Sequence, residues 1–313
     1  MDQGTTKTTF TEYLNGLDFL TILREVDRLN LDRYIKKLLT SKFLKLMVYA
    51  QTRQVQTLTD LSLHLREELA LQQEVGLSSI STAQLSRRLR SLNPDAFQAI
   101  FSHLASVIFS SSRPQQKRAH AKRLSIVDAS TVTMCLEKFR WAEFRSTKAG
   151  IKLHQRLVFE DQQVVPEKAV LTYARSSDRS QMDLLVEVDS NALYLFDRGY
   201  VDYEKFDHYC ESGTRFLTRM KRNARIREVE EERMVAPQSP VKRDAIVWLG
   251  QYPGYWMRSK LRLIEVQGVD GETVHLLTND LEMDAQEIGA LYRKRWQIEL
   301  FFKWIKQHLV IKR

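Results

Sequence analysis

Residues 284–309 read DAQEIGALYRKRWQIELFFKWIKQHL and organise the prediction of the fold. Asp284, followed three positions later by Glu287, predicts the N-terminal cap of a helix, and no proline interrupts the residues after it. At about 100° per residue, one narrow face of this helix is apolar. That face holds Leu291, Ile298, Phe302, Ile305 and Leu309. We therefore predict one long helix that packs this face against the core.

A second row of side chains lies beside the apolar face and consists of Tyr292, Arg295, Glu299 and Lys306. Glu299 is the only acid from residue 292 to the last residue, 313, against seven Lys or Arg residues. One interpretation is a solvated, salt-bridged helix edge, because Arg295 and Glu299 are four positions apart. The other is a metal ligand beside a polyanion, because a lone carboxylate in positive surroundings suits both partners.

The composition narrows the class of protein. The chain has 313 residues, enough for two domains, and its net charge of +9 fits a nucleic-acid partner. No apolar run reaches membrane-spanning length, and the first ten residues lack a signal-peptide core, so we expect no membrane partner. The two isolated cysteines, Cys135 and Cys210, argue against a zinc site or a disulfide framework and favour the cytoplasm.

Residues 1–111 carry helical apolar spacing and predict an all-helical N-terminal domain. Ser81 and Gln84 form a capping box that opens a helix carrying Arg87, Arg88 and Arg90. A helix, a short turn with a glycine and this basic helix together outline a helix-turn-helix, so these arginines are candidate DNA contacts. The alternative is a plain helical bundle with a basic solvated face. Residues 110–114 indicate a linker, with a basic run after it.

From residue 112 onward the pattern changes to strands. RLSIVDASTVTM, GIKLHQRLVFE and VVPEKAVLTYA predict a three-stranded meander, with a turn at residues 161–163, and strands then alternate with helices. Residues 224–274, approximately, predict a β-rich insertion. We predict an α/β fold: an RNase H-like mixed-sheet catalytic core over residues 112–313, interrupted by that insertion and preceded by the helical domain over residues 1–111.

Two aspartates follow apolar strands in this core. Asp128 comes after SIV, and Asp197 comes after LYLF. Aspartate is disfavoured in strands, and a carboxylate at a strand end lies at the edge of a sheet, where binding residues concentrate. Each could also be an ordinary turn residue.

His154 is predicted to be structural.

The spacing Tyr292-x2-Arg295-x3-Glu299-x6-Lys306 resembles the Y-x2-R-x3-E-x6-K signature of the insertion-sequence-four family of bacterial DDE transposases. The stretch F-x-T-R-x-K at residues 216–221 is also similar to that family, as is LSRRL in the helical region. The resemblance implies that Tyr292, Arg295 and Lys306 contact DNA near the cut end.

The same resemblance identifies three catalytic acids. Asp128 in VDAST resembles the first acid of the family, Asp197 in FDRGY the second, and Glu299 the third. The implied cofactor is two Mg²⁺ or Mn²⁺ ions, with Asp128 as the bridging ligand and Asp197 and Glu299 each on one ion. Two hard cations held by carboxylates suit phosphodiester cleavage.

The implied function is that of a DNA transposase of an insertion sequence. It would bind terminal inverted repeats, cleave the element ends and join the 3′-hydroxyl to target DNA, as a homodimer in the DNA complex at the nucleoid. The sequence leaves open a hairpin pathway. Family members usually continue beyond the position of Arg313, so we expect a C-terminally truncated chain. The alternatives are an inactive DNA-binding remnant and an RNase H-like nuclease without strand transfer.

Overall fold

The computed structural model describes residues 10–12, 14–15, 19–111, 123–160, 163–251, 254–268 and 271–308. Most of the predicted linker with its basic run, most of the turn at residues 161–163 and the last five residues lie outside this range, whereas residues 110 and 111 of the linker are helical. The chain divides into two compact units. The first is Met1–Arg113 with Ile305–Lys312, and the second is Pro114–Trp304. The predicted boundary at residues 111 and 112 is close to this division.

The first unit is helical in the residues described. Its helices are Phe19–Arg28 (α1), Thr40–Thr52 (α2), Leu58–Glu67 (α3), Leu69–Val75 (α4), Thr82–Ser91 (α5) and Pro94–Ser111 (α6). Ser81 and Gln84 form the predicted capping box, each side chain bonding the backbone of the other residue. Apolar side chains from α2 to α5 make the core, among them Phe43, Leu46, Leu61, Leu65 and Leu85.

The second unit is built on one mixed sheet. Its strands are Arg123–Met134 (β1), Glu143–Arg145 (β2), Lys148–Glu160 (β3), Gln163–Tyr173 (β4), Ala192–Phe196 (β5), Arg215–Arg219 (β6), Ala224–Glu232 (β7), Val241–Gln251 (β8), Leu261–Gln267 (β9) and Thr273–Thr278 (β10). Within the described residues the order is β2-β3-β1-β5-β6-β10-β9-β8-β7, and β4 pairs with β3. Helices Met182–Leu185 (α7) and Tyr203–Ser212 (α8) connect β4 to β5 and β5 to β6.

The order β4-β3-β1-β5-β6 contains an antiparallel meander followed by two strands parallel to β1. The predicted mixed α/β architecture is confirmed, and this order is consistent with an RNase H-like core. The β-rich segment predicted at residues 224–274 does form strands. Its strands β7, β8 and β9 extend the same sheet beyond β10.

Side chains on β1 and β5 alternate between two cores. Val127 and Phe196 point into one apolar cluster, whereas Ile126 and Leu195 point into the other. The second cluster includes Ile298 and therefore contains the packing face of the last helix. Residues that follow Val127 and Phe196 on these strands consequently share the face on which the C-terminal helices pack.

The prediction of one uninterrupted helix at residues 284–309 is wrong. The structure has two helices, Ala285–Arg293 (α9) and Trp296–His308 (α10). At the junction the backbone N–H groups of Lys294 and Arg295 donate to carbonyls three residues back, which tightens the turn. Neither proline nor glycine marks the break, which coincides with Arg295, the residue that contacts Asp128 on β1. Asp284 caps α9 as predicted.

Among the described helices, none combines the length and apolar character that crossing a membrane requires.

Candidate active site

Asp128 lies on strand β1, and Asp197 directly follows the end of the neighbouring parallel strand β5. The register of β1 and β5 pairs Val127 with Phe196, so each aspartate is the residue after a paired position. Adjacent strands are about 4.8 Å apart. Strand β5 ends at Phe196, and Asp128 is therefore the position where β1 loses that neighbour. The two carboxylates share the carboxyl edge of the parallel strands, where open α/β sheets bind ligands.

Glu299 reaches this edge through Arg295. The guanidinium of Arg295 donates from Nη2 to Glu299 Oε1 at 2.5 Å and from Nη1 to Asp128 Oδ2 at 3.4 Å. Because one rigid fork holds both nitrogens, Asp128 Oδ2 and Glu299 Oε1 lie within about 8 Å of each other. Residues 171 positions apart in sequence therefore meet at one site.

The carboxyl group of Asp128 is buried and has negatively charged neighbours. Its pKa is raised to about 7, first by burial and then by the negative charge of Asp197, with a smaller rise from Glu299. The backbone N–H of Ala129 donates to Asp128 Oδ1 at 2.7 Å, and this bond and the charge of Arg295 act in the opposite direction. Burial is thus the main cause of the raised pKa of Asp128, and the neighbouring carboxylates add to it.

Tyr292, near the end of α9, contacts the residue that precedes Asp197. Its hydroxyl donates to the carbonyl oxygen of Phe196, the residue before Asp197, at 3.5 Å. Burial raises the pKa of Tyr292 to about 12, so the phenol keeps its proton at neutral pH. Lys306 lies on α10 seven residues, about two turns, beyond Glu299 and falls within the first compact unit.

A fourth carboxylate, that of Asp178, lies near the site and was not predicted from the sequence. A Cβ added to Gly199 would lie 2.9 Å from Asp197 Oδ1 and 3.6 Å from Asp178 Oδ2, so both acids border this glycine. Lys152 Nζ donates to Asp178 Oδ1 at 3.0 Å and to the carbonyl of Ser176 at 2.9 Å. Aspartate in a Ser-rich turn is ordinary turn chemistry, so no local signal marks Asp178.

Tyr200 places a buried hydroxyl beside these acids. The side chain is fully buried, and within the described residues its hydroxyl has no hydrogen-bond partner. Burial raises the pKa of Tyr200, and the charges of Asp128, Asp178 and Asp197 raise it further. A buried polar group normally has a partner, so an unpaired hydroxyl here fits a site that takes up a hydrated cation or a polar ligand.

The donor set suits a hard cation. Asp128, Asp197 and Glu299 supply carboxylate oxygens, the ligands that Mg²⁺ and Mn²⁺ prefer. In the described part of the chain, no three His, Cys, Asp or Glu side chains are already grouped to hold a metal ion. The guanidinium of Arg295 lies between Asp128 and Glu299 and neutralises both. A metal shared by these two acids would compete with Arg295.

The three candidate arginines in the first unit differ in their surroundings. Arg87 and Arg90 are exposed on α5, whereas Arg88 is 5% exposed. Arg88 donates to Asp32 Oδ1 and to Thr40 Oγ1, each at 2.5 Å. The inclusion of Arg88 among the DNA contacts is therefore corrected. Its guanidinium is occupied inside the unit because a buried arginine needs fixed partners.

His154 behaves as the sequence analysis predicted for a structural histidine. Its side chain is fully buried, and Nε2 is 2.9 Å from Thr172 Oγ1. Burial lowers the pKa of His154 to about 4. Nδ1 lies 3.7 Å from Asp178 Oδ1, too far for a hydrogen bond.

Comparison with known proteins finds one transposase family model and several transposases that are similar to this chain. Residues 119–313 match the family model described as the Transposase DDE domain, and residues 5–78 match a domain of unknown function. The chain is similar to a putative transposase, y4zB, of Sinorhizobium fredii, with 31% identity over 68% of this chain and 60% of that protein. It is also similar to a probable transposase for insertion sequence element IS5377 of Geobacillus stearothermophilus, with 26% identity over 75% of this chain and 60% of that protein.

A third relative is a putative transposase for insertion sequence element IS4SA of a Synechocystis strain, with 22% identity over 66% of this chain and 58% of that protein. The matched part of the chain thus spans about three-fifths of the length of these relatives.

Proposed function

This chain belongs to the Transposase DDE domain family, and on that premise we propose that it is the DNA transposase of an insertion sequence. It would bind the inverted repeats at the element ends, cleave the phosphodiester there and join the freed 3′-hydroxyl to target DNA. We further propose that it belongs to the insertion-sequence-four branch, on the spacing of Tyr292, Arg295, Glu299 and Lys306.

One observation carries the proposal. Asp128 and Asp197 follow a paired position on two parallel strands, and Arg295 joins Asp128 to Glu299. Three acids distant in sequence are thereby brought towards the carboxyl edge of the sheet. A salt-bridged helix edge exposed to water would not require the two strand-end aspartates. The arrangement therefore favours the metal-site interpretation of the row on the last helices.

Two Mg²⁺ or Mn²⁺ ions, when bound, would supply an activated water or 3′-hydroxyl and offset charge on the leaving oxygen. We assign Asp128 as the ligand shared by both ions because it has acidic neighbours on both sides. Asp197 and Glu299 would each hold one ion. The hydroxyl of Tyr292 fixes the carbonyl of Phe196 and so helps to orient the turn that carries Asp197.

Arg295 would have two roles. Without metal it neutralises Asp128 and Glu299, and with metal bound its fork would be released towards a DNA phosphate, which it can hold bidentately. We propose phosphate contacts for Lys306 on α10 and for the exposed residues Arg87 and Arg90 on α5 as well. A homodimer would bring two element ends together, at the nucleoid where the DNA is.

The test is cleavage and joining of a labelled duplex that carries the element end, with Mg²⁺ or Mn²⁺. Asp128→Asn, Asp197→Asn and Glu299→Gln keep the side-chain shape but remove ligand charge. We expect each to lower cleavage by orders of magnitude while DNA binding remains. Glu282→Gln removes an exposed carboxylate elsewhere in the unit and serves as the matched control, with unchanged cleavage expected.

Three results would count against the proposal in different ways. Cleavage without joining would favour a nuclease that lacks strand transfer. DNA binding without cleavage by the wild-type chain would favour an inactive DNA-binding protein. Full cleavage by the Asp128→Asn and Glu299→Gln variants would remove these residues from the active site.

A further inference from the structure

A basic cleft lies between the loop before α2 and helix α5 in the first unit. Its volume is about 490 Å³. The loop contributes Tyr34, Lys36 and Lys37, and α5 contributes Arg87. None of the described residues that line it is acidic. We call this feature the loop–helix cleft.

The positive charges of the cleft are not neutralised by acids among the described residues. Lys36, Lys37 and Arg87 are exposed. Within the described residues, their side chains take part in no hydrogen bond or ion pair. Charged groups that converge on a concave surface without counter-charges raise the local concentration of an anionic partner.

Arg88 fixes this loop to α5 from inside. Its guanidinium donates to the carbonyl of Leu31 at 3.0 Å, to Asp32 and to Thr40. Asp32 in turn accepts from the backbone N–H of Thr40 at 2.8 Å, at the start of α2. One buried side chain on α5 therefore holds both ends of the loop that carries Lys36 and Lys37.

Tyr34 adds an exposed ring at the mouth of the cleft. Its backbone has φ of 64°, in the left-handed region that bulky residues rarely adopt, and 86% of the residue is exposed. The guanidinium of Arg33 lies 5.0 Å from the centre of the ring. Backbone strain of this kind persists where the surroundings fix it, and it concentrates at binding sites.

We propose that the loop–helix cleft binds the sugar–phosphate backbone of duplex DNA. Lys36, Lys37 and Arg87 would contact phosphates, and Tyr34 would lie against the sugars. Arg88 would be the positioning residue that keeps the loop and α5 in register. The inference rests on the proposed function and adds to it a second DNA-contacting segment, the loop that carries Lys36 and Lys37, which lies within the part of the chain that matches a domain of unknown function. Backbone contacts of this kind contribute affinity and salt dependence but no sequence preference.

The test measures DNA binding by the full chain at salt concentrations from about 50 to 200 mM. Fluorescence anisotropy is recorded with two duplexes, one carrying the element end and one of unrelated sequence. In the double variant Lys36→Ala/Lys37→Ala, the slope of log K against log salt should become shallower by about 2, because each lost phosphate contact removes about one counterion. Affinity should fall by the same factor on both duplexes.

The matched control removes the same charge from the same unit. Arg24 and Arg66 are exposed on α1 and α3, outside the cleft. The variant Arg24→Ala/Arg66→Ala should leave the slope within about half a unit of the wild-type value, because only charges that contact phosphates release counterions.

Arg88→Lys tests the positioning role. Lysine keeps the charge but lacks the planar fork, so the loop should lose its register and the salt slope should become shallower. When this change is added to Lys36→Ala/Lys37→Ala, binding should weaken little further, because both act through the same contacts. A purely structural role would instead give additive losses.

The possible results distinguish failure of the cleft proposal from failure of the proposed function. If the wild-type chain binds DNA and Lys36→Ala/Lys37→Ala keeps the full salt slope, the cleft proposal is wrong and the transposase proposal stands. The cleft proposal also fails if the Arg24→Ala/Arg66→Ala control loses as much slope. If the wild-type chain binds neither duplex, both proposals fail.

Discussion

Arg295 is the residue on which the proposed chemistry of the site depends. Its guanidinium forms ion pairs with both Asp128 and Glu299, the two acids that a metal would share in the proposed site. We predict that Arg295→Gln binds Mn²⁺ more tightly in the absence of DNA, by about tenfold, because a competing positive charge is removed. Cleavage should nevertheless fall, because a phosphate contact is lost. Calorimetric titration with Mn²⁺ measures the first effect.

The control for this prediction is Arg293→Gln. Arg293 is exposed two residues earlier and touches neither acid. Its replacement should leave the affinity for Mn²⁺ unchanged. Equal Mn²⁺ affinity in wild type and Arg295→Gln would mean that the guanidinium does not compete with the metal.

His154 gives a prediction for the pH dependence of stability. The pKa of His154 is lowered to about 4 in the folded chain, mainly by burial, against about 6.5 when unfolded. Asp178 opposes this shift and Lys152 adds to it. The unfolded state therefore binds more protons between these values, so the contribution is full above about pH 6.5 and is lost as pH falls towards 4.

We expect the loss at His154 to be on the order of 1–3 kcal/mol in the free energy of unfolding. Chemical denaturation at pH 7 and pH 4.5 measures it. The difference between the two pH values should be smaller in His154→Gln than in wild type. His208→Gln, at an exposed histidine on α8, should retain the wild-type difference. Identical pH dependence in wild type and His154→Gln would contradict the buried neutral imidazole.

At the residue scale, Glu299 was predicted from the motif spacing, and Asp128 and Asp197 from their short motifs after apolar strands; their catalytic role stays a prediction, and the structure brings the three towards one edge of the sheet. Sequence could not select Asp178, because its link to Asp197 runs through the space beside Gly199. The burial of Arg88 also escaped prediction. A basic run on a helix does not reveal which of its members meets a distant acid such as Asp32.

Among the elements, the turn after β5 sets the position of Asp197. Asp197 Oδ1 accepts from the backbone N–H of Gly199 at 2.7 Å, and a Cβ on that residue would lie 2.9 Å from the same oxygen. Gly199→Ala should displace this carboxylate. We predict at least a tenfold loss of cleavage, since small misplacement of a catalytic group is costly. A cleavage assay beside a circular dichroism spectrum separates this from unfolding.

The comparison for this turn is Gly213→Ala, at the end of α8. An added Cβ there meets nothing within 4 Å, but φ is 71°, so strain without displacement of Asp197 is expected. Gly213→Ala should lower stability and leave cleavage by the folded chain unchanged. Normal cleavage in Gly199→Ala would show that the turn does not fix Asp197.

Periodicity and capping signals predicted most elements, and the break between α9 and α10 shows where such signals fail. Helical spacing continues through residues 294 and 295, with no proline or glycine to stop it. The tight hydrogen bonds at the junction accompany contacts that Arg295 makes with β1. A long-range contact of this kind is invisible to a local pattern.

For the whole molecule, the mixed α/β class followed from the order of strands and helices. The extent of the sheet did not follow from that order. Strand-like segments separated by turn-rich stretches predicted a β-rich insertion over β7, β8 and β9, but the pattern of a strand does not indicate which edge of a sheet it joins. In the structure these strands lengthen the central sheet through β10.

We propose that the sheet of the second unit and the helices after it bring three acids together as a two-metal centre. The direct measurement is anomalous scattering from crystals of the chain bound to an element-end duplex and soaked in Mn²⁺. The account predicts two Mn²⁺ peaks about 4 Å apart, ligated by Asp128, Asp197 and Glu299, with Arg295 turned towards a phosphate. Mn²⁺ bound away from these carboxylates, in a complex that still cleaves DNA, would contradict it.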